Sequence, residues 1–351
     1  MKMLSILICF IGTCFSSCSL LELEPTTSWT AENTPKEESH LYGILYYGEM
    51  RGDAFYNNAF NVNADKVVNN SLDNNIFWAS WYNYYRVIKQ ANAVIKFTPQ
   101  VLEAGGISAE KADDVMGQAY CLRAFTYFWI IRIWGDAPLV TAPYLDSNDS
   151  FDLPKAAVAD IVEQIHSDLE NASNMIDKNS TSRTTFTQTA AYAINAHVYA
   201  WEHKYEETIN MADKVLTNTN YTLANLYDEK YTGTTDDVKN KNFKALVQAS
   251  EYAQIFNTGR SKESIFELAS NVADGDDQKN LTTYLAGSWP ILRPRPRFGK
   301  AIDAEGSTWR SAAIQEVAGS KYKVTKFTIG FDYTADSRNI VMLRLADIIL
   351  L

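Results

Sequence analysis

The sequence has few cysteines, and their positions limit the chemistry that they can perform. Cys9 and Cys14 fall within an apolar stretch at the N-terminus, Cys18 follows that stretch directly, and only Cys121 stands in the body of the chain. If Cys9 and Cys14 are removed with a leader and Cys18 carries lipid, only Cys121 remains and no internal disulfide can form. Because Cys121 lies in an apolar run with helical spacing, it is predicted to be a small core residue.

Histidine is also scarce, and no catalytic or cofactor motif accompanies it. Only His197 and His203 among the four histidines are close together, six residues apart, and no acid–histidine ligand motif surrounds them. The sequence therefore predicts no metal site, and His197 is expected to be a packed helix residue. Glycine-rich phosphate loops and a GxSxG nucleophile elbow are missing too, so no cofactor is expected.

An excess of positive charge is likewise absent. The chain has 32 Lys and Arg residues against 42 Asp and Glu residues, which gives a formal net charge of −10. Proteins gain affinity for nucleic acid mainly by neutralising phosphates with Lys and Arg. The balance excludes nucleic acid as an expected partner, and it also argues against electrostatic binding to anionic lipid.

The N-terminal apolar stretch has the length of a signal-peptide core. Residues 4–15 follow the charged Lys2 and are too few to cross a bilayer as a helix. The sequence therefore predicts a signal peptide over residues 1–17.

The residues around Cys18 resemble a lipobox, in which a cysteine after small residues is lipidated and becomes the new N-terminus. Ser16 and Ser17 are the small residues here, and Phe15 stands where leucine is usual. We predict lipidation of Cys18 and a tether over residues 18–30. An ordinary secretory signal cut near Ser17 is the alternative.

The rest of the chain is rich in apolar and aromatic residues, which make up 46% and 13% of it, so a large core can form. Ser108 and Thr187 are placed to cap helices, Gly135 is placed to end one, and Pro99 is predicted to end the first. Apolar residues recur at helical spacing in five segments: 77–97, 109–134, 155–176, 188–201 and 205–216. Trp78 and Trp81 lie on the apolar stripe of the first segment and are assigned to the core.

After residue 218 the sequence becomes irregular, with much Asn, Thr, Asp, Gly and Lys. Residues 264–269 are predicted as a short strand or buried segment. Residues 284–310, rich in Pro, Gly and Trp, are predicted as loop, and residues 341–351 as the start of a helix. Long irregular stretches are uncommon unless they have a function.

Several segments together resemble the SusD/RagB family. The most specific is GQAYCLRAFTYFWIIRIWGDAPLV, residues 117–140, which resembles the family's Leu-Arg-Ala helix ending in Trp/Phe-Gly-Asp-x-Pro-Leu-Val. The other segments, in the family's order, are WYNYYRVIKQANAVI at 81–95, TAAYAINAHVYAWEHKYEETINMADKVL at 189–216, SIFEL at 264–268 and LRLADIILL at 343–351.

The resemblance implies a mainly α fold, a scaffold of tetratricopeptide-like helix pairs with long irregular ligand-binding loops, in a single domain over residues 31–351. It implies a surface-exposed outer-membrane lipoprotein that captures glycans and passes them to a SusC-like TonB-dependent transporter. A peptide-binding member and a helical-repeat protein that binds only another protein are the alternatives. Enzyme activity is not expected. A cryptic glycosidase is a further alternative, because its two catalytic carboxylates could come from any two of the 42 acidic residues.

Loop aromatics and amides are the candidate ligand contacts, because rings stack on sugars and amides bond to hydroxyls. The candidates are Trp289, Trp309, Tyr284, Tyr56, Asn57 and Asn74. Three arginines of the late loop, Arg293, Arg295 and Arg297, are expected to be solvated, with contact to an acidic sugar as the alternative.

The final residues predict an incomplete family member. The segment 341–351 has the apolar spacing of a helix, with Arg344 and Asp347 expected on one helical face, and no Gly, Asn or Pro terminator follows it. Members of the family are usually longer. A naturally short member with a packed last helix is the alternative.

Overall fold

The computed structural model describes residues 51–58, 62–71, 73, 80–144, 152–224, 251, 254–269, 292–304, 314–317, 321–324 and 339–351. Helices predominate in the first two thirds of the described chain and short strands in the last third. The helices are α1 (Val62–Val68), α2 (Tyr82–Glu103), α3 (Ala109–Trp134), α4 (Val158–Met175), α5 (Gln188–Trp201), α6 (Tyr205–Leu216), α7 (Pro296–Ala304) and α8 (Leu345–Leu350). The strands are β1 (Phe55–Asn57), β2 (Ser264–Leu268), β3 (Leu292–Pro294), β4 (Ile314–Val317), β5 (Lys321–Val324) and β6 (Ile340–Arg344), with a π-helical turn at Gln254–Thr258.

Helix α3 is the centre of the main core, and it packs against both α2 and α4. Its sequence is apolar on nearly every side, so most of its middle is buried. Cys121, Tyr127 and Ile130 are fully buried, which confirms the prediction that Cys121 is a core residue. Burial of each large apolar side chain stabilises the fold by roughly 1.5–3 kcal/mol.

The predicted helix ends are confirmed where hydroxyl caps and a glycine define them. Ser108 Oγ accepts a hydrogen bond from the Lys111 amide at 3.2 Å, and Thr187 Oγ1 accepts one from the Ala190 amide at 3.1 Å. Gly135 closes α3 with a φ of 74°, a conformation that glycine adopts without strain.

Asp136, the residue after that glycine, caps the next helix. Ala157 precedes α4 and supplies no side-chain cap, but Asp136 Oδ1 accepts a hydrogen bond from the Val158 amide at 3.0 Å. A bridge between Ala137 and Ala156 lies beside it. The Gly-Asp-x-Pro segment therefore fixes where α4 begins relative to the end of α3.

The prediction that Pro99 ends the first long helix is wrong. Helix α2 continues through Pro99 to Glu103. A proline removes one helical N–H donor, and one lost hydrogen bond in the last turns does not stop the helix here. The Ala104 amide still donates to the Gln100 carbonyl at 3.0 Å.

The C-terminal segment begins as a strand, so the helix predicted over residues 341–351 is wrong in its first half. Strand β6 pairs antiparallel with β2, the strand that SIFEL forms as predicted. All five residues of β2 are buried, and buried backbone groups need a partner. Short apolar runs fit a strand as well as a helix, and the need of β2 for a neighbouring strand decides between them.

Helix α8 follows β6 and packs against α5 and α6. Asp347 Oδ2 lies 2.9 Å from His197 Nε2 of α5, so His197 is a packed helix residue as predicted. Arg344 lies at the end of β6, not on a helical face shared with Asp347 as predicted. Ile348 is buried, whereas Leu350 is 84% exposed.

Residues 292–304, predicted as loop, contain β3 and α7. Strand β3 pairs antiparallel with β1. Pro296 occupies the first position of α7, where a fixed φ and a missing N–H suit a helix. The loop prediction fails here because proline is also common at the first position of a helix, so its presence does not by itself indicate a loop.

Helices α5 and α6, which form where segments 188–201 and 205–216 are predicted, pack against each other as a helix pair. Ala212 and Val215 of the predicted α6 stripe are buried, but Ile209 and Leu216 of the same stripe are 59% and 45% exposed. The apolar stripe of α6 is thus only half covered by the described residues.

A buried charged network joins the three long helices. The Arg123 guanidinium of α3 donates to both carboxylate oxygens of Asp168 in α4, at 2.8 and 2.6 Å. It also donates to Asn92 Oδ1 of α2 at 2.6 Å and to the Thr141 carbonyl at 3.1 Å. Both members of the ion pair are almost fully buried, at 4% and 0% side-chain exposure. Every polar contact is therefore needed to offset the lost hydration.

We expect Asp168→Ala to lower the free energy of unfolding by about 3–5 kcal/mol, because it leaves the Arg123 charge buried without its carboxylate. Equilibrium urea unfolding measures this. Glu163→Ala, on the exposed face of the same helix, is the control and should change stability by less than about 0.5 kcal/mol. Equal effects of the two substitutions would contradict the role given to the buried pair.

Candidate functional site

A cavity of about 590 Å³ opens at the beginning of α2. It lies between that helix and the chain that connects α3 to α4. This volume is typical of sites for small ligands. The cavity is lined by Trp81, Tyr82, Tyr85, Arg86, Ile88, Lys89, Gln90, Pro138, Val140, Tyr144 and Leu153.

One side of the cavity is formed by the first three turns of α2. Val87 and Ile88 face the core and are buried, which fixes the rotation of the helix. The same rotation places Tyr82 and Arg86, one turn apart, towards solvent. The Arg86 guanidinium carbon lies 5.6 Å from the centre of the Tyr82 ring. An aromatic face and N–H donors are therefore neighbours at the cavity rim.

The opposite side is the wall segment, residues 138–144, which has no regular secondary structure. Side chains of the helices satisfy its carbonyl groups. Tyr85 Oη donates to the Pro138 carbonyl at 2.5 Å, and Asn92 Nδ2 donates to the Val140 carbonyl at 3.0 Å. The Tyr127 hydroxyl accepts from the Val140 amide at 2.7 Å. These bonds, with that from Arg123 to Thr141, fix the wall segment against α2 and α3.

Trp81 stands where α2 begins and is held at its edges. Its ring centre lies 6.0 Å from that of Tyr85 and 6.3 Å from that of Trp134, the latter nearly perpendicular. Lys155 Nζ lies 5.5 Å from the centre of the same ring. The half-buried indole is thus oriented by its neighbours while it lines the cavity.

The chemistry of the cavity suits a hydroxyl-rich ligand with apolar faces. Trp81, Tyr82, Tyr85 and Tyr144 supply ring surface, and Arg86, Lys89 and Gln90 supply N–H donors. Burial raises the pKa of the Tyr85 phenol well above its usual range, so its hydroxyl stays protonated and keeps its bond to Pro138. No carboxylate is among the described residues that line the cavity.

Only two of the sequence-predicted ligand contacts lie within the described residues, and neither lines this cavity. Tyr56 lies in β1 opposite Arg293 of β3. The Asn57 amide donates to Asp65 Oδ1 of α1 at 2.8 Å, so part of its bonding capacity is already used. The other predicted site residues lie outside the described residues: Trp289, Trp309, Tyr284, Asn74 and the lipidation residue Cys18.

Sequence reasoning missed the cavity because it assigned Trp81 to the core. Trp81 does pack against the core, but it stands at the first turn, where it also lines the cavity. Trp78, assigned with it, lies outside the described residues. The available sequence signal was Tyr82 with Arg86 one turn later, which marks an aromatic and polar side of the helix next to the apolar stripe. Tyr82 is 66% exposed in the structure.

The described residues also bear on metal binding and membrane insertion. No three His, Cys, Asp or Glu side chains there come together as metal ligands would. Among the helices so described, none combines the length and apolar character needed to cross a membrane.

The family model and the relatives that this chain matches all carry the name SusD-like. The SusD-like family described as "starch-binding associating with outer membrane" matches residues 23–200. A SusD-like protein from Formosa agariphila is 26% identical over 61% of this chain and 44% of its own length. A second from that organism is 25% identical over 87% of this chain and 63% of its own length. The chain thus matches less than two thirds of the length of either relative.

Solved structures show the same fold. A SusD superfamily protein from Bacteroides thetaiotaomicron superposes with a TM-score of 0.68 at 18% identity, covering 92% of this chain and 74% of its own. A SusD-like carbohydrate binding protein from Bacteroides vulgatus has a TM-score of 0.65 at 18% identity, covering 90% and 66%. Both likenesses concern a mainly helical scaffold, as the resemblance implied. With a family match over half its length and this fold, the chain belongs to the SusD/RagB family.

Proposed function

We propose that this protein captures glycans at the outer membrane, and that the cavity at the beginning of α2 is a site of capture. The observation that carries the proposal is the pairing of ring surface with N–H donors around 590 Å³ of space. The family description of starch binding and the carbohydrate-binding relative from Bacteroides vulgatus support it.

Capture requires two kinds of contact, and the cavity offers both. The rings of Trp81 and Tyr82 cover the apolar face of a sugar, which removes that face and the rings from water. Arg86, Lys89 and Gln90 donate to sugar hydroxyls, which gives orientation. Because the wall segment is already hydrogen-bonded to the helices, binding requires little further ordering of its backbone. Less binding free energy is therefore lost to conformational entropy.

Binding without cleavage fits this cavity better than glycosidase activity does. Glycoside hydrolysis ordinarily uses two carboxyl groups on either side of the scissile bond. The described residues that line the cavity include neither Asp nor Glu. The cryptic glycosidase is therefore not favoured at this site.

Attachment and delivery complete the proposal. Lipidated Cys18 holds the protein to the outer membrane, exposed at the cell surface, and captured glycans pass to a SusC-like TonB-dependent transporter. Trp289, Trp309, Tyr284 and Asn74, which lie outside the described residues, stay predicted ligand contacts. Support comes from the lipobox-like Ser16-Ser17-Cys18 and from the outer-membrane association of the family.

Tyr82→Ala and Trp81→Ala are each expected to weaken retention of a neutral polysaccharide by at least about tenfold, since central aromatic contacts carry much of the binding free energy. Native affinity gels with starch, xylan, galactan and mannan identify the ligand, and calorimetry measures its affinity. Trp201→Ala removes a part-exposed tryptophan of α5 outside the cavity and should leave affinity unchanged. Unchanged affinity in both cavity variants would remove the cavity from the site.

Cys18→Ala should release the protein from the membrane fraction into the soluble fraction, because stable anchoring needs the acyl chains. Fractionation of the expressing cells measures this, and circular dichroism of the released protein should show an intact helical fold. Membrane association that survives the substitution would place the anchor elsewhere.

Mild-detergent pull-down of the lipidated protein from outer membranes should recover a large TonB-dependent barrel. Mass spectrometry of the bound fraction identifies it, and a pull-down from cells lacking this protein is the control. Repeated recovery without any barrel would contradict transporter delivery while leaving glycan capture intact.

A further inference from the structure

Arg293 in strand β3 and Arg295 just after it carry buried N–H groups that no described protein atom accepts. Nε and Nη1 of Arg293 and Nε of Arg295 are buried without a hydrogen-bond partner among the described residues. Arg123 shows the usual solution for a buried guanidinium, since its Nε, Nη1 and Nη2 all donate to protein oxygens. Buried N–H groups of a cation are unfavourable unless an acceptor meets them.

The β1–β3 ribbon places Arg293 next to an aromatic ring. Phe55 and Leu292, which occupy one face of the ribbon, are buried at 8% and 1% exposure. Tyr56 and Arg293 are directly opposite each other in the register, so their side chains share the other face. Both are only half-buried. Tyr56 and Arg293 therefore stand side by side on the half-buried face of the ribbon.

Arg295 is fixed beside this pair by its backbone. Its amide donates to the Ala54 carbonyl at 2.8 Å, and its carbonyl accepts from the Phe298 amide at 2.9 Å. The residue thus joins the end of β3 to the start of α7, two positions from Arg293. The bond to Ala54, two residues before Tyr56, keeps the Arg295 backbone at the same end of the ribbon.

The charge around the ribbon is opposite to that of the whole protein. Residues 292–304 contain three arginines, one lysine and one aspartate, although the chain as a whole carries a net charge of −10. The nearby acids already have partners. Asp53 pairs with Arg297, and Asp303 accepts from the Tyr322 hydroxyl at 3.1 Å.

We propose that Tyr56, Arg293 and Arg295 form a subsite for an oxyanion carried by an acidic oligosaccharide, either a carboxylate or a sulfate. The planar guanidinium fork matches two oxygens of such a group, and the Tyr56 ring covers the face of the sugar that bears it. The subsite rests on the proposed function, because it assigns a class of glycan to the same capture activity.

Native affinity gels test the subsite with two carboxylate polysaccharides, polygalacturonate and alginate, and two sulfated ones, carrageenan and chondroitin sulfate. The wild type should be retained by at least one of these, and the carboxylate and sulfate arms show which oxyanion is bound. Arg293→Gln with Arg295→Gln should reduce that retention at least about tenfold, since both charge-assisted contacts are lost. The neutral polysaccharide bound by the cavity should be retained as before.

Lys300→Gln with Lys321→Gln is the matched control, because it removes the same charge from exposed positions near the ribbon and leaves the pair of Arg297 with Asp53 intact. An equal loss of retention in this control would show non-specific attraction and overturn the proposal. The melting temperature of the variant with both Arg293→Gln and Arg295→Gln should not fall, because the buried N–H groups that it removes have no protein partner. If that variant nevertheless fails to fold, Arg293→Lys, which keeps the charge and loses the fork, should show the reduced retention.

The outcomes separate this inference from the proposed function. Retention by a neutral polysaccharide, lost in Tyr82→Ala, together with no retention by any of the four acidic ones would overturn the oxyanion subsite alone. No retention by any polysaccharide would overturn both.

Discussion

The guanidinium group of Arg123 lies inside the helical core and determines how three segments of the chain meet. A charge at that depth is unfavourable unless acceptors meet its N–H groups. Asp168 of α4, Asn92 of α2 and the Thr141 carbonyl supply the acceptors. The middle of α3 is otherwise mostly apolar, so this polar requirement restricts how α2, α3 and α4 can pack against one another.

The cavity follows from that arrangement. Asn92 accepts from Arg123 and, through its amide, donates to the Val140 carbonyl, so the buried charge is coupled to the wall segment. Tyr85 adds a second attachment at Pro138. The wall segment is therefore an irregular stretch whose backbone groups are satisfied by helices, which is how a loop can stay ordered at a binding site. A ligand that enters meets rings and donors already in position.

The sequence predicted the scaffold well because its signals are local. The hydroxyl caps at Ser108 and Thr187 and the glycine at position 135 mark the ends of helices within a few residues. The cavity depends on contacts that no local pattern contains, such as that from Tyr85 to Pro138, 53 residues apart. Trp81 was assigned to the core because helical periodicity reports which residues share a face but not where that face ends.

Co-crystallisation with an oligosaccharide of the polysaccharide that the protein retains tests the central claim most directly. The account predicts a sugar ring against Trp81 or Tyr82, with hydroxyls within hydrogen-bond distance of Arg86, Lys89 or Gln90. It also predicts that the wall segment keeps its bonds to Tyr85 and Asn92 in the complex. An oligosaccharide bound only elsewhere, or a wall segment that rearranges to admit it, would contradict the claim that the Arg123 network forms a capture site in advance.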